Sequence, residues 1–201
     1  MTKHWSTTET LKGKHVSLEP LSLDHLTGLQ EAARDGELWN LWFTSVPKPE
    51  SAREYIEQAL ASRDLGKAMP FAVRDAKGDI VGSTRYCNIE ADHKRLEIGW
   101  TWYAERVQRT ALNTEAKLLL LTNAFETLGA IAVEFRTNWF NQRSRTAIAR
   151  LGAKQDGVLR NHMLMPDGTR RDTVVFSILD SEWPAAKKNL QFQLQRYGKE
   201  S

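Results

Sequence analysis

The spacing of apolar residues changes several times along this chain, and each change marks an element. Val16-Ser-Leu-Glu-Pro-Leu21 predicts a strand after a polar opening of about 12 residues. Ser22 is placed to cap a helix carrying Leu23, Leu26 and Leu29 that stops near Gly36. Ser51 and Glu54 have capping-box spacing, Tyr55, Ile56, Ala59 and Leu60 form a buried stripe, and Gly66 ends that helix. The period then shortens to two. Phe71-Ala-Val73 and Ile80-Val-Gly-Ser-Thr-Arg-Tyr86 flank a Gly-containing turn and predict a hairpin. In the next strand Leu96, Ile98, Trp100 and Trp102 alternate with Glu97, Gly99, Thr101 and Tyr103, which sets Glu97 on the face opposite the tryptophans. Helical spacing returns with Leu118, Leu121, Phe125 and Leu128, ending near Gly129. Residues 131–137 read as a strand. Asn141 caps a helix with Ala147, Ile148 and Leu151 that closes at Gly152. Residues 158–165 and 173–179 form a last hairpin, and Ser181 with Pro184 opens a closing helix.

The order is β-α-α-β-β-β-α-β-α-β-β-α. The meander implies antiparallel pairs and the strand–helix–strand crossover implies one parallel pair. The expectation is an α/β (α+β) chain whose mixed sheet carries helices on both faces. A doubly wound nucleotide fold is excluded, because its glycine fingerprint and repeated βαβ units are missing. A length of 201 residues without a linker or repeat predicts one domain, residues 13–197, after a loose segment 1–12.

Charge adds little. There are 28 basic and 25 acidic residues, a net +3 that suits a small anion as well as nucleic acid. No aromatic–basic RNA signature is present, so no nucleic-acid partner is expected. The single cysteine, Cys87, excludes an internal disulfide and a cysteine-based zinc site, and five scattered histidines show no metal spacing. Cys87 reads as a small packed side chain and His162 as a strand residue. With no secretory core and no long apolar run, the expectation is a cytoplasmic protein without membrane contact.

The chemistry concentrates at two helix starts. The loop of residues 105–113 joins the Trp-rich strand to the longest helix. Unpaired N–H groups there, with Arg109 beside them, can wrap a diphosphate. The other reading is a plain helix start capped by Asn113 or Thr114. One strand later Asn141 opens another helix, and Arg136, Arg143 and Arg145 crowd that end, where cations are unfavourable unless an anion is near. Two such starts separated by one strand could face the same anion.

Glu97-Ile-Gly-Trp-Thr-Trp102, Gln108-Arg-Thr-Ala-Leu-Asn-Thr-Glu-Ala-Lys117, Asn141-x-x-Ser-Arg, Ala147-Ile-Ala-Arg-Leu-Gly152 and Arg171-Asp-Thr-Val174 together resemble the GNAT superfamily of N-acetyltransferases, in its RimJ/RimL-like branch. The resemblance runs from about residue 13 to residue 194. It implies a GNAT fold with a mostly antiparallel seven-stranded sheet and a splayed parallel strand pair. It also implies acetyl-CoA as cosubstrate, no metal, and a homodimer. Backbone near Trp102 and Tyr103 would pair with the pantetheine arm. Gln108, Arg109, Thr110, Ala111, Leu112, Asn113 and Thr114 would hold the diphosphate. Asn141, Ser144 and Arg145 would bind at the next helix start, Ser144 also serving the leaving thiolate. The family usually carries Gly in the diphosphate loop; here Ala111 stands at the expected tight spot.

Direct attack of an amine on a thioester needs a base, and Glu97 is the candidate, with a surface or paired glutamate as the alternative. A backbone N–H of the splayed strand would steady the oxyanion. Trp39 and Trp42, with Phe43 and Pro47 between the two early helices, and Tyr86 on the hairpin are candidates for an acceptor wall or for plain core. The resemblance implies a primary amine as acceptor: a protein N-terminus, an amino acid or a small amine. The competing function is a non-catalytic acetyl-CoA sensor of the same fold.

Overall fold

In the computed structural model, which describes residue 5 and residues 9–197, the chain runs β1 (Leu11–Lys12), β2 (Val16–Pro20), α1 (Leu26–Arg34), α2 (Ala52–Asp64), β3 (Ala68–Asp75), β4 (Ile80–Glu90), β5 (Arg95–Tyr103), α3 (Ala111–Thr122), β6 (Ala132–Asn138), α4 (Gln142–Ala149), β7 (Lys154–Leu164), β8 (Arg170–Leu179) and α5 (Trp183–Tyr197). All the strands join one sheet in the order β1-β2-β3-β4-β5-β6-β8-β7. Neighbours are antiparallel except β5 and β6, whose parallel pairing needs a crossover that α3 supplies.

Eight strands stand where seven were expected, because Leu11 and Lys12 pair with Leu18 and Ser17. Leu11 and Trp5 also pack against the core. Residues 1–4 and 6–8 of that segment lie outside the described residues.

Helices cover both faces of the sheet. Tyr55 of α2 donates to Ser83 Oγ at 3.2 Å. Tyr86 donates to the Leu120 carbonyl of α3 at 2.6 Å, and Lys117 of α3 reaches Thr84. Ser83 lies one residue from Thr84 and three from Tyr86, so α2 and α3 sit on opposite faces. Both early helices open through 3₁₀ turns, the first capped by Ser22 as expected and the second not by the Ser51–Glu54 box. Ser22 opens a 3₁₀ turn, residues 23–25, that precedes α1, and its N–H donates to His25 Nδ1 at 3.1 Å. Ser51 lies in a 3₁₀ turn with Pro49 leading, so the Ser51–Glu54 capping box does not form; Glu54 accepts from Gln58 instead, at 3.0 Å. Proline at a first helical position does the starting there. Among the described residues no helix is long and apolar enough to cross a membrane.

A β-bulge in β5 corrects the alternation. Arg85 pairs with Gly99 but Ser83 pairs with Trp102, so Thr84 alone faces two residues of β5. Trp100 absorbs the extra residue at φ 53. After it the phase reverses. Thr101 turns to Lys117 on the α3 face, and Trp102 turns to Tyr55 on the α2 face. Glu97 therefore shares the α2 face with Trp100 and Trp102 rather than opposing them.

Candidate active site

β5 and β6 part company early. Their pairing covers only Arg95–Ala132, Leu96–Val133 and Glu97–Glu134. Beyond that β5 stays bonded to β4 as far as Tyr103, and β6 to β8 as far as Asn138. Two strand edges thus face each other unpaired across a cleft of about 790 Å³, lined by residues 98–103 and 135–138. Backbone N–H and C=O groups on such edges need partners, and an extended chain of amides would provide them.

Two helix starts close one end of the cleft. Thr110 caps α3, its Oγ1 accepting from the Leu112 N–H at 3.3 Å. Asn141 caps α4, its Oδ1 accepting from the Ser144 N–H at 3.0 Å. Gln108, Arg109, Thr110 and Asn113 line the cleft from the α3 side, Asn141, Arg143 and Ser144 from the α4 side. The glycine-free loop makes its left-handed turn at Arg109, φ 61, rather than at Ala111. Gln108 steadies that loop by donating to the Tyr103 carbonyl at 3.1 Å. Two positive helix ends with Arg109 and Arg143 beside them are suited to an anion.

Other predicted positions lie elsewhere. The side chains of Ala111, Leu112 and Thr114 are buried in the first turns of α3, with Thr114 Oγ1 accepting from Arg150 at 3.3 Å. Arg145 stacks on Trp139, 4.3 Å from its ring, and donates to the Trp139 carbonyl. Tyr86 is fully buried and bonded to α3, so it belongs to the core and not to a cleft wall. Trp39 packs against the core, while Trp42 is exposed and touches Phe43 and Phe140. Leu38, Leu41, Phe43 and Val46 form the apolar wall between the early helices.

Glu97 sits behind the cleft surface, 7% exposed. It accepts from Asn88 Nδ2 at 2.7 Å and lies 3.5 Å from Arg136, which does line the cleft. Burial pushes its carboxyl above the ordinary value; Asn88, Arg136 and Arg171 pull part of the way back. Burial and the Glu97 charge push the Cys87 thiol up, which keeps it protonated and un-nucleophilic.

Lys117 is a cleft residue that sequence reasoning missed. It is buried in α3 and donates to Thr101 Oγ1 at 2.7 Å and Thr84 Oγ1 at 3.5 Å. With only neutral hydroxyls to meet, its ammonium is pushed down to about 7 by burial. The signal was its place in the buried stripe of α3, between Thr114 and Leu121.

The comparisons with known proteins agree with this geometry. The family model of the acetyltransferase (GNAT) domain matches residues 15–154. A Bacillus subtilis (strain 168) protein, provisionally named the ribosomal N-acetyltransferase YdaF, is 28% identical over 177 residues, covering 85% of this chain and 92% of its own. The crystal structure of a GCN5-related N-acetyltransferase from Brucella melitensis superposes with a TM-score of 0.85 at 31% identity, covering 94% of this chain and 86% of that one. RimL, a ribosomal L7/L12 alpha-N-protein acetyltransferase solved with coenzyme A, shares the fold at 16% identity, with a TM-score of 0.72 over 85% of this chain and 98% of its own. The match over most of the length, on a sheet that splays after one short parallel pairing, means that the chain belongs to the GNAT family of N-acetyltransferases.

Proposed function

We propose that the protein transfers an acetyl group from acetyl-CoA to a primary amine by direct attack in a ternary complex. The observation that carries this reading is the β5–β6 gap, open along two unpaired strand edges and closed at one end by two helix starts. Such a slot fits the coenzyme. The edge at Trp102 and Tyr103 offers strand-like pairing to the amides of the pantetheine arm. The N–H groups of residues 110–114 with Arg109 suit the diphosphate. Asn138 Nδ2 and the Tyr103 hydroxyl, on residues that line the cleft, are buried without a partner among the described residues, and are further groups that a bound molecule could satisfy.

When bound, acetyl-CoA supplies an acetyl group activated as a thioester. The chain's own residues do the rest. Glu97 takes the proton that the acceptor ammonium must lose, and its buried carboxyl is a stronger base than an exposed one. Arg136, in contact with Glu97, keeps the ionised carboxylate in place. Ser144 at the start of α4 gives a hydrogen bond to the departing thiolate. Phe43 and the other apolar residues on the wall of the early helices exclude water from the acceptor side. The name carried by YdaF favours a protein N-terminus as acceptor over a small amine.

The test is thiol release from acetyl-CoA with a panel of N-terminal peptides, amino acids and polyamines. Release that depends on one class of amine supports the reading. Micromolar binding of acetyl-CoA with no release across the panel contradicts it and favours a sensor.

A further inference from the structure

On the α2 face beside the cleft, guanidinium groups outnumber carboxylates. Glu97 is paired with Arg136, and Glu134 with Arg136 at 2.9 Å and with Arg95. Arg85 and Arg171 have no carboxylate within 4.0 Å among the described residues. Arg85 is 5% exposed, and its Nε and Nη2 are sealed from solvent without a hydrogen-bond partner. Its guanidinium lies against two ring faces, Tyr55 at 4.9 Å and Trp100 at 4.5 Å. Arg171 lines the cleft with its Nε buried and equally unpartnered. Trp100, 46% exposed, lines the cleft and covers Arg85.

A buried cation without an anion is costly, and packing does not demand one here, since an apolar side chain would fill the same space beside two rings. The diphosphate end of the cleft does not account for it. Arg85 pairs with Gly99, four residues and about 13 Å along β5 from Tyr103, toward the end of the wedge where β5 and β6 still pair at Glu97.

We propose that Arg85, beneath Trp100, and Arg171 of the cleft lining form a subsite for a carboxylate carried by the acceptor. The preferred substrate is then an amine with a carboxylate a few atoms away, such as a peptide whose first residue is Asp or Glu. This rests on the acetyl-transfer reading above. Guanidinium nitrogens that lack a partner, once uncovered by a swing of the exposed Trp100 ring, bind a carboxylate through charge-assisted bonds and reject its neutral isostere.

The test uses matched acceptors differing only in that group: peptides beginning with Glu against Gln, and Asp against Asn. The wild-type kcat/KM is at least tenfold higher for the carboxylate member of each pair. In Arg85→Met and in Arg171→Gln the ratio falls to within about twofold of one, and Arg85→Met melts no lower than wild type. A second readout needs no turnover. In the presence of coenzyme A, the N-acetylated Glu peptide binds at least tenfold tighter than the N-acetylated Gln peptide, and Arg85→Met abolishes the difference. Equal wild-type values for the two members, or a preference that survives both substitutions, overturns the subsite. Absence of transfer to every amine overturns the acetyl-transfer reading instead, and the product-binding difference still decides the subsite.

Discussion

Gly82→Ala is the substitution that the geometry of the cleft wall resists most. Gly82 sits opposite Tyr103 in the β4–β5 ladder at φ 156. A Cβ there would overlap the Trp102 carbonyl oxygen and lie 3.0 Å from both the Trp102 carbonyl carbon and Tyr103 Cα. All three are backbone atoms, so no side-chain rotation relieves the contact and β5 itself must shift. Overpacking of this kind costs about 1–3 kcal/mol and a strained backbone adds about 1 kcal/mol more. For a chain of this size that lowers the melting temperature by roughly 4–16 °C. The displaced segment carries the edge assigned to the pantetheine arm, so acetyl-CoA affinity falls as well. Gly78→Ala is the control: it too has a positive φ, 94, but its Cβ would meet open space. Thermal melting and calorimetric titration with acetyl-CoA read both effects. If Gly82→Ala melts within 2 °C of Gly78→Ala, within roughly the shift of 1 kcal/mol, and binds acetyl-CoA normally, the argument from backbone overlap is wrong.

Glu97→Gln lowers kcat with little change in the KM for acetyl-CoA. In wild type the rate rises with pH through a point above the ordinary carboxylate range, because burial delays ionisation of the base; that limb vanishes in the variant, and its persistence in a pH profile would remove Glu97 from the chemistry. Lys117→Met stabilises the protein increasingly as pH falls from about 10 to about 7, since the unfolded lysine takes up a proton near 10.4 while the folded one waits until about 7; melting curves at pH 7 and pH 10 check the trend. Arg74 donates to Glu19 at 2.7 and 2.8 Å and holds its carboxyl down to about 2, so the pair's contribution is present above the usual glutamate range and lost as pH falls toward 2. Arg74→Ala should cost about 1 kcal/mol at pH 7 in urea titrations, and the cost shrinks as pH falls from the usual glutamate range through about 2.

Much of this was legible from local pattern. Strand alternation located β3 to β6, and the Asn141 side chain caps α4 as its spacing implied. Two kinds of information were not. The bulge at Trp100 reverses which residues face which helix, and nothing in Gly-Trp-Thr-Trp announces it, because the cause is pairing with β4. Tyr86 and Trp39 illustrate the second kind: an aromatic residue on a strand or beside a helix packs in a core as readily as on a wall, and only tertiary contacts decide. The Ser51–Glu54 spacing was correct for a capping box, yet Pro49 tightened the turn ahead of it and changed its geometry. Arg136 and Arg171 come from two strands, so their action on Glu97 is a property of sheet order and not of any segment.

The most direct measurement is a crystal structure of the protein grown with acetyl-CoA. The account predicts the pantetheine arm lying between β5 and β6, its amides bonded to backbone near Trp102 and Tyr103, and the diphosphate against the start of α3. Density for the coenzyme at another surface, or strands 5 and 6 zipped together with the slot closed, would contradict it.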